Sequence, residues 1–467
     1  MTLLLALLSL FAWLSPAPGA PEPAWARQVG ARTMPTGKTI FRAAAYGAVA
    51  DGQTLATTAI QQAIDAAAKK GGIVTLAPGQ YLSGSLFLKK GVTLQLDKGV
   101  TLLGSQDLKD YPEINTRVAG IEMKWPAALL NVLDQENVAI TGEGTVDGQG
   151  KVFWDAYWAL RKDYDAKGLR WIIDYDAKRP RALLISNAAN VTVRNITLQR
   201  SGFWTVHVLY SKNVTVDGII VRNNIGGHGP STDGIDIDSS SYVLVQKCDI
   251  DCNDDNFCLK AGRDADGLRV NRPCEYVLIQ DCVAGAGAGL LTCGSETSGG
   301  IRHVIARRMR AKGTKTGFHI KSALTRGGTV EDVWVDDIDM ENVGYGILMN
   351  MNWNPAYSYS TLPAGYTQAT LPAHWQAMLT KVAPEKGLPR FRDVHFSNIR
   401  VRGAKTAIST QGMANSLVAN ITLDNITMSA ATAGTINYAT RWTIRNVTIS
   451  AQDQAPVAVQ NSPGINF

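Results

Sequence analysis

The stretch NVTVRNITL, residues 190–198, returns as NVTVDGIIV at 213–221. Each copy reads as a short β-branched strand with apolar residues at alternate positions, a bend at Asn or Gly, and a second short strand. The phrase recurs as YVLVQKCDI at Tyr242, YVLIQDCVA at Tyr276, HVIARRM at His303 and DVWVDDIDM at Asp332. It continues at Asp393, Asn420 and Arg441, with earlier echoes at Gly91 and Asn137. No helix-length apolar pattern separates the copies, which argues against alternating strand–helix units. Repeats of this length cannot bury an apolar row alone and must stack on their neighbours. The expected fold is therefore all-β: a right-handed, single-stranded parallel β-helix. A propeller would need repeats of about 40 residues and hairpin connections, and neither is visible.

A solenoid needs closed ends. TTAIQQAIDAAAKK, residues 57–70, is the clearest amphipathic helix, with Ile60, Ala63, Ile64 and Ala67 on one face, and is expected to cap the first coil. The rhythm breaks at about 151–180 and 352–391, both rich in Trp and Tyr, and at 263–275, which reads as a long loop over the groove. Aromatic residues in such insertions form loop cores or, beside a groove, sugar-stacking walls. Six N-x-T triplets, at Asn190, Asn195, Asn213, Asn420, Asn425 and Asn446, fall at the same two positions of the repeat. Turn or ladder asparagines explain that placement better than glycosylation does.

The 467 residues are 45% hydrophobic and 18% charged, the composition of a folded chain. The formal charge of +6 is spread without a basic block, so no nucleic-acid partner is expected, and an anionic polysaccharide is compatible. MTLLLALLSLFAWLSP is too short to span a bilayer and reads as a secretory leader. Residues 1–26 are the expected leader, with Ala24-Trp25-Ala26 as a cleavable triplet and Ala20 as another end. Residues 27–467 would then be one exported catalytic domain, periplasmic or extracellular. No membrane span follows, and a monomer is expected. The six cysteines all lie between Cys248 and Cys293 and read either as buried thiols or as one or two local disulfides. They carry no zinc pattern.

STDGID supplies Asp233, and CNDDNFCLKAG supplies Asp254 and Asp255. Asp233 and Asp254 are separated by about one compact coil, so the three carboxylates can converge on one strand face. Crowded acids repel, and at least one should be protonated at neutral pH and able to act as a general acid. Calcium is the competing use of such a cluster. GFHIKSALTRGG adds His319, Lys321 and Arg326, and Arg263, Arg269 and Arg272 follow the acids.

With these residues in place, the chain closely resembles the polygalacturonase-like glycoside hydrolases, the pectin-degrading β-helix family, over about residues 41–450. YGAVADGQTLATTAIQQAIDAA, STDGID, NDD, LKAGRDADGLRVNRP, CGSETSGG and IKS carry the likeness, and the RDADG…NRP and GSETSGG stretches look like the bacterial members. The resemblance implies an inverting hydrolase of a galacturonan or rhamnogalacturonan-like plant cell-wall polysaccharide, with no cofactor and no metal. It implies that Asp254 is the general acid and that Asp233 and Asp255 activate water, an arrangement that inversion requires. Lys321, His319, His228, Arg263, Ser231 and Arg326 are then the expected substrate contacts.

Three departures stand out. The family's Asn-Thr-Asp is Ser231-Thr232-Asp233 here, its Gly-His-Gly aligns with Gly287-Ala288-Gly289, and its Arg-Ile-Lys is His319-Ile320-Lys321. Histidine is a shorter and only partly charged substitute for an arginine fork. Gly227-His228-Gly229 imitates the missing motif but precedes the aspartates. Asp236 and Asp238 read as structural, or as partners that support the catalytic groups from within the same coil. Two alternatives remain at this level: a β-helix lyase using Ca2+ and a basic residue, and a non-catalytic carbohydrate-binding solenoid.

Overall fold

The computed structural model describes residues 22–367 and 370–467. Their architecture is a parallel β-helix, in which 33 short strands join one continuous parallel sheet wound into three faces. NVTVRNITL shows how the sequence does this. Val191 and Val193 are fully buried, Thr192 and Arg194 face outward, and Val191 pairs in register with Val138 below and Val214 above. The row continues through Val243, Val277, Val304, Val333 and Val394, all fully buried. Each such valine contributes roughly 1.5–3 kcal/mol of burial, and stacking is the only way to bury it.

The asparagines set the corners. Asn190, Asn213 and Asn420 open their strands with φ of 53°, 57° and 56°, and Asn195, Asn425 and Asn446 turn the next bend with φ of 62°, 55° and 51°. Left-handed backbone costs most L-residues energy but is tolerated by Asn, whose short side chain bonds locally. All six N-x-T asparagines are thus corner residues. Tyr242, Tyr276 and His303 take the same corner in later coils and stack at 4.7 Å between successive ring centres.

Helix Thr57–Ala68 buries Ile60, Ala63, Ile64 and Ala67 against the first coil, as the sequence indicates. Most of the expected leader lies outside the described residues, but its final residues do not. Ala24–Arg27 is a short helical turn, Ala26 is buried with Leu278 and Ile305, and Trp25 packs on Tyr276. The chain then crosses the coils through Gly30, Ala31 and Arg32, which bond to Tyr242, Asn213, Thr215 and Asn190. All six cysteines are buried free thiols, so the thiol ladder holds and the disulfides do not.

The insertions have structure of their own. Helix Lys151–Ala166 and the turn Ile173–Asp176 form the first, and Ala373–Leu379 is the main helix of the last. The segment after Arg263 is a helix, Asp264–Val270, rather than a long loop. A hairpin without sequence warning, Glu113–Val118 with Ile121–Pro126, is antiparallel. Trp125, Leu169, Trp171, Tyr175, Trp204, Trp375 and Met378 bring these segments into a second hydrophobic cluster over one face of the solenoid. Trp171 meets Trp375 edge-on at 5.3 Å, and its Nε1–H donates to the Thr361 carbonyl.

Candidate active site

The face beneath that cluster is built from strands Val206–Leu209, Ile235–Asp238, Asp255–Lys260, Gly289–Cys293, Thr316–Lys321 and Tyr345–Asn350, stacked in order. Alternation sends Ile235, Ile237, Phe257, Leu259 and Ile320 into the core and turns the residues between them outward. One outward row aligns His207, Asp236, Cys258, Thr292 and His319. The next holds Asp238 and Lys260, with Lys321 further along. Ile235 pairs with Phe257, so Asp233 extrapolates onto Asp255 rather than onto Asp254 as its spacing suggested. Gly234 permits this close stacking, because a Cβ there would lie 2.5 Å from the Asn256 carbonyl oxygen.

Asp233, Asp254 and Asp255 line one cavity together with Lys260, Lys321, Glu296 and Ser231. Asp255 is the fixed member: Oδ2 accepts from Lys321 Nζ at 2.8 Å and Oδ1 from Thr292 Oγ1 at 2.8 Å. Burial favours its neutral form, but Lys321 and Lys260 outweigh that and hold it below the ordinary carboxylate range. Asp254 goes the other way, raised by burial and by the charge of Asp255. Asp233 is held well above the ordinary range by burial, Asp236 and Asp254, and its buried Oδ1 has no partner. Asp236 is pushed up to about 8, chiefly by burial, against the pull of Lys260.

Lys260 sits among these acids, 3.3 Å from Glu296, 3.5 Å from Asp236 and 3.7 Å from Asp233. It also lies 4.8 Å above the Trp204 ring. Lys260, Glu296 and Thr292 do not stand out in the sequence, although LKAG contains the first, CGSETSGG the second, and Thr292 directly precedes CGSETSGG. The available signal was a charged residue at an outward position between buried apolar ones. Asp236, expected to be structural or to support the catalytic groups, belongs to the same charge network.

The other expected contacts divide. Ser231 lines the cavity, and its hydroxyl donates to Asp174 Oδ1 at 3.1 Å. His228 stands exposed at the rim, stacked on Trp158 at 5.5 Å and 2.9 Å from Asn253 Oδ1. His319 does not reach the cavity. It is buried behind Asp255, its Nε2 has no partner, and burial and Lys321 bring its pKa down to about 3. A neutral, enclosed imidazole cannot read a carboxylate.

Arg263 is also enclosed. It bonds to the Tyr175 hydroxyl, the Tyr357 carbonyl and Asp264, with Tyr357 facing its guanidinium at 4.6 Å. Arg326 is buried against Asp264 and the Ser295 carbonyl. Both are struts that hold the helix Asp264–Val270 and the insertion 352–391 in place. Arg269 and Arg272 lie outside the cavity, on Asp266, Glu122 and Tyr210. Ala288 is half-buried, and its N–H donates to the Asp254 carbonyl.

A carboxyl with a raised pKa beside one with a lowered pKa, at the head of one strand, can give and take protons in the same reaction. The model of "Glycosyl hydrolases family 28" matches residues 73–367, which include all three aspartates and Lys321. The chain belongs to that family. A "Probable polygalacturonase" of Vitis vinifera is 32% identical over 66% of this chain and 62% of its own length. An "Exo-poly-alpha-D-galacturonosidase" of Dickeya chrysanthemi is 25% identical over 88% of this chain and 74% of its own. Among solved structures, a hyperthermoactive exopolygalacturonase of Thermotoga maritima superposes with a TM-score of 0.76, at 26% identity, over 91% of this chain and 95% of its own. The family match covers the coils that carry the acids, and the superposition extends over most of the chain.

Proposed function

We propose that this family 28 chain is an inverting, exo-acting hydrolase that removes terminal sugars from a pectic galacturonan. The observation that carries the reading is the pair of adjacent carboxyls Asp254 and Asp255 in one cavity, the first with its pKa raised and the second with its pKa lowered. Asp254 gives its proton to the glycosidic oxygen as the C1–O bond breaks. Water adds to C1 from the opposite side and loses its proton to Asp255, so the anomeric configuration inverts. The raised pKa of Asp233 suits it to orient that water rather than to deprotonate it. Reprotonation of Asp254 and release of the proton from Asp255 reset the site.

Exo action rests on the roof. The hairpin at 113–126, the segment 169–175 and the helix Ala373–Leu379 pack together through Trp125, Trp171 and Trp375, and the first two wall the cavity with Ala119, Arg170 and Asp174. A wall on this side favours the entry of a chain end over the passage of a polymer. A pectic substrate lies outside the cell, so export fits the reading. A monomer is the matching state, because each chain holds a complete cavity.

The test is product analysis. The full chain is incubated with homogalacturonan, with rhamnogalacturonan backbone and with oligomers of each. Products are resolved by size and by the NMR signals of the fresh anomeric centre. Monomer from the first time point, released as the inverted anomer, is expected. A ladder of oligomers would remove the exo assignment, and unsaturated products absorbing in the ultraviolet would make the chain a lyase.

A further inference from the structure

We propose that Arg170 is the residue that reads the carboxylate of the terminal uronic acid, on the closed side of the cavity. This rests on the hydrolase reading above and adds the group that selects a charged sugar over a neutral one.

Three cations line the cavity: Arg170, Lys260 and Lys321. Two of them are committed to the protein. Lys321 is bound to Asp255 at 2.8 Å, and Lys260 is shared among Glu296, Asp236 and Asp233. A substrate carboxylate reaching either lysine would compete with the acids that must do the chemistry. Arg170 differs. Its one hydrogen bond among the described residues runs from Nη1 to Asp174 Oδ2 at 2.8 Å. The other oxygen of Asp174 already accepts from Arg179 at 3.1 Å and from Ser231. Two guanidiniums thus share one carboxylate, and the group carries a surplus positive charge.

The exposures settle which guanidinium is available. Arg179 is sealed, with its guanidinium 4.4 Å from the Tyr157 ring centre and 4.5 Å from that of Phe203. The Arg170 side chain keeps 19% of its surface and lies 4.9 Å from the Tyr357 ring centre. Its position is fixed from both sides, because Leu169 and Trp171 are buried in the roof cluster. Arginine presents five donors in a planar fork that matches a carboxylate. Most of that fork is free here and faces the cavity.

The experiment compares trigalacturonate with its methyl ester, which keeps the sugar but removes the charge. Affinities are measured by calorimetry on the full chain and on R170Q and R170K, with initial rates alongside. For R170Q, acid affinity should fall by about 10- to 100-fold, the loss typical of a charge-assisted hydrogen bond, while ester affinity changes less than about twofold. R170K keeps the charge without the fork and should fall between. Equal losses on acid and ester would reveal a structural role and overturn the assignment, as would an unchanged acid affinity. Tighter binding of ester than of acid by the unmutated protein would overturn it too, while turnover of the ester would leave the hydrolase reading intact. Binding of the acid without turnover, with the acid-selective loss in R170Q, would sink the hydrolase reading and leave Arg170 as the carboxylate reader.

Discussion

Replacing Lys321 by methionine tests the charge arrangement on which the mechanism depends. The substitution keeps an unbranched side chain of similar length and removes the cation 2.8 Å from Asp255 Oδ2. Asp255 is enclosed, so burial by itself drives its pKa upward, and Lys321 is the first of the groups that reverse this. A hydrogen bond between charged partners contributes about 1.5–3 kcal/mol. One pKa unit corresponds to about 1.4 kcal/mol, so Asp255 should rise by roughly one to two units. Only ionised Asp255 can take the proton from water, so its titration forms the acid limb of the kcat/KM profile. That limb should move to higher pH by about one to two units in K321M, and activity should recover as pH rises past it. Thr292→Val removes only the hydroxyl that donates to Oδ1 at 2.8 Å, and the limb should shift in the same direction by less than about one unit. The assay is initial rates on an oligogalacturonide across pH 3–9 at fixed ionic strength, with thermal melts at each pH to separate titration from unfolding. If both variants keep the limb where the unmutated protein has it, whatever their plateau rates, Asp255 is not the base.

Two further outcomes follow from the same network. Arg263→Met breaks a buried set of hydrogen bonds to Tyr175, Tyr357 and Asp264. It should cost about 3–5 kcal/mol of stability, read as a lowered Tm; a raised KM with an unchanged melt would return Arg263 to the substrate. Asp236 has its folded pKa raised from 3.8 to about 8. The stability it lends is complete below about pH 4 and is lost as pH rises through about 8. Asp236→Asn should therefore flatten the fall in Tm across that window, and a slope identical to that of the unmutated protein in scanning calorimetry would contradict its protonated state.

The solenoid was legible because its signal is local and repeated. A single pattern, apolar at alternate positions with Asn or Asp at the bend, states both the strand and the left-handed corner that ends it. The aspartates were legible for a related reason, since stacking coils convert a sequence interval into a neighbour. The interval pointed to Asp254 as the partner of Asp233, whereas the register of Ile235 against Phe257 makes it Asp255, because coil length varies. Lys260 and Glu296 were harder. Outward positions along a strand are open to any residue that tolerates water, and nothing local tells a solvated lysine from one enclosed by three acids. That enclosure comes from neighbouring coils, which bring Asp233, Asp236 and Glu296 around it.

The roof was the least legible part, for a physical reason. Its members at 113–126, 151–180, 263–270 and 352–391 meet only in three dimensions, through contacts such as Trp171 with Trp375 and Tyr175 with Arg263. The sequence marks them as off-rhythm and aromatic, which fits an exposed sugar platform as well as a hydrophobic cluster. Their packing divides them: Trp171 and Trp375 are buried, whereas Trp158, stacked on His228, and Tyr366 are exposed and Trp353 lines the cavity. The roof also explains why Arg263 and Arg326 misled. Charged residues beside an active site are expected to face substrate, but closing four separate segments over a flat solenoid face leaves buried backbone carbonyls that need donors. A guanidinium is the side chain with enough of them, and Arg263 spends its donors on Tyr357 and Ser358 carbonyls. Arg170 escapes that duty because Asp174 lies between it and Arg179, which takes the structural position. The coils therefore carry the acids and the roof determines what reaches them, so the same carboxylates can serve a different chain end when only the roof changes.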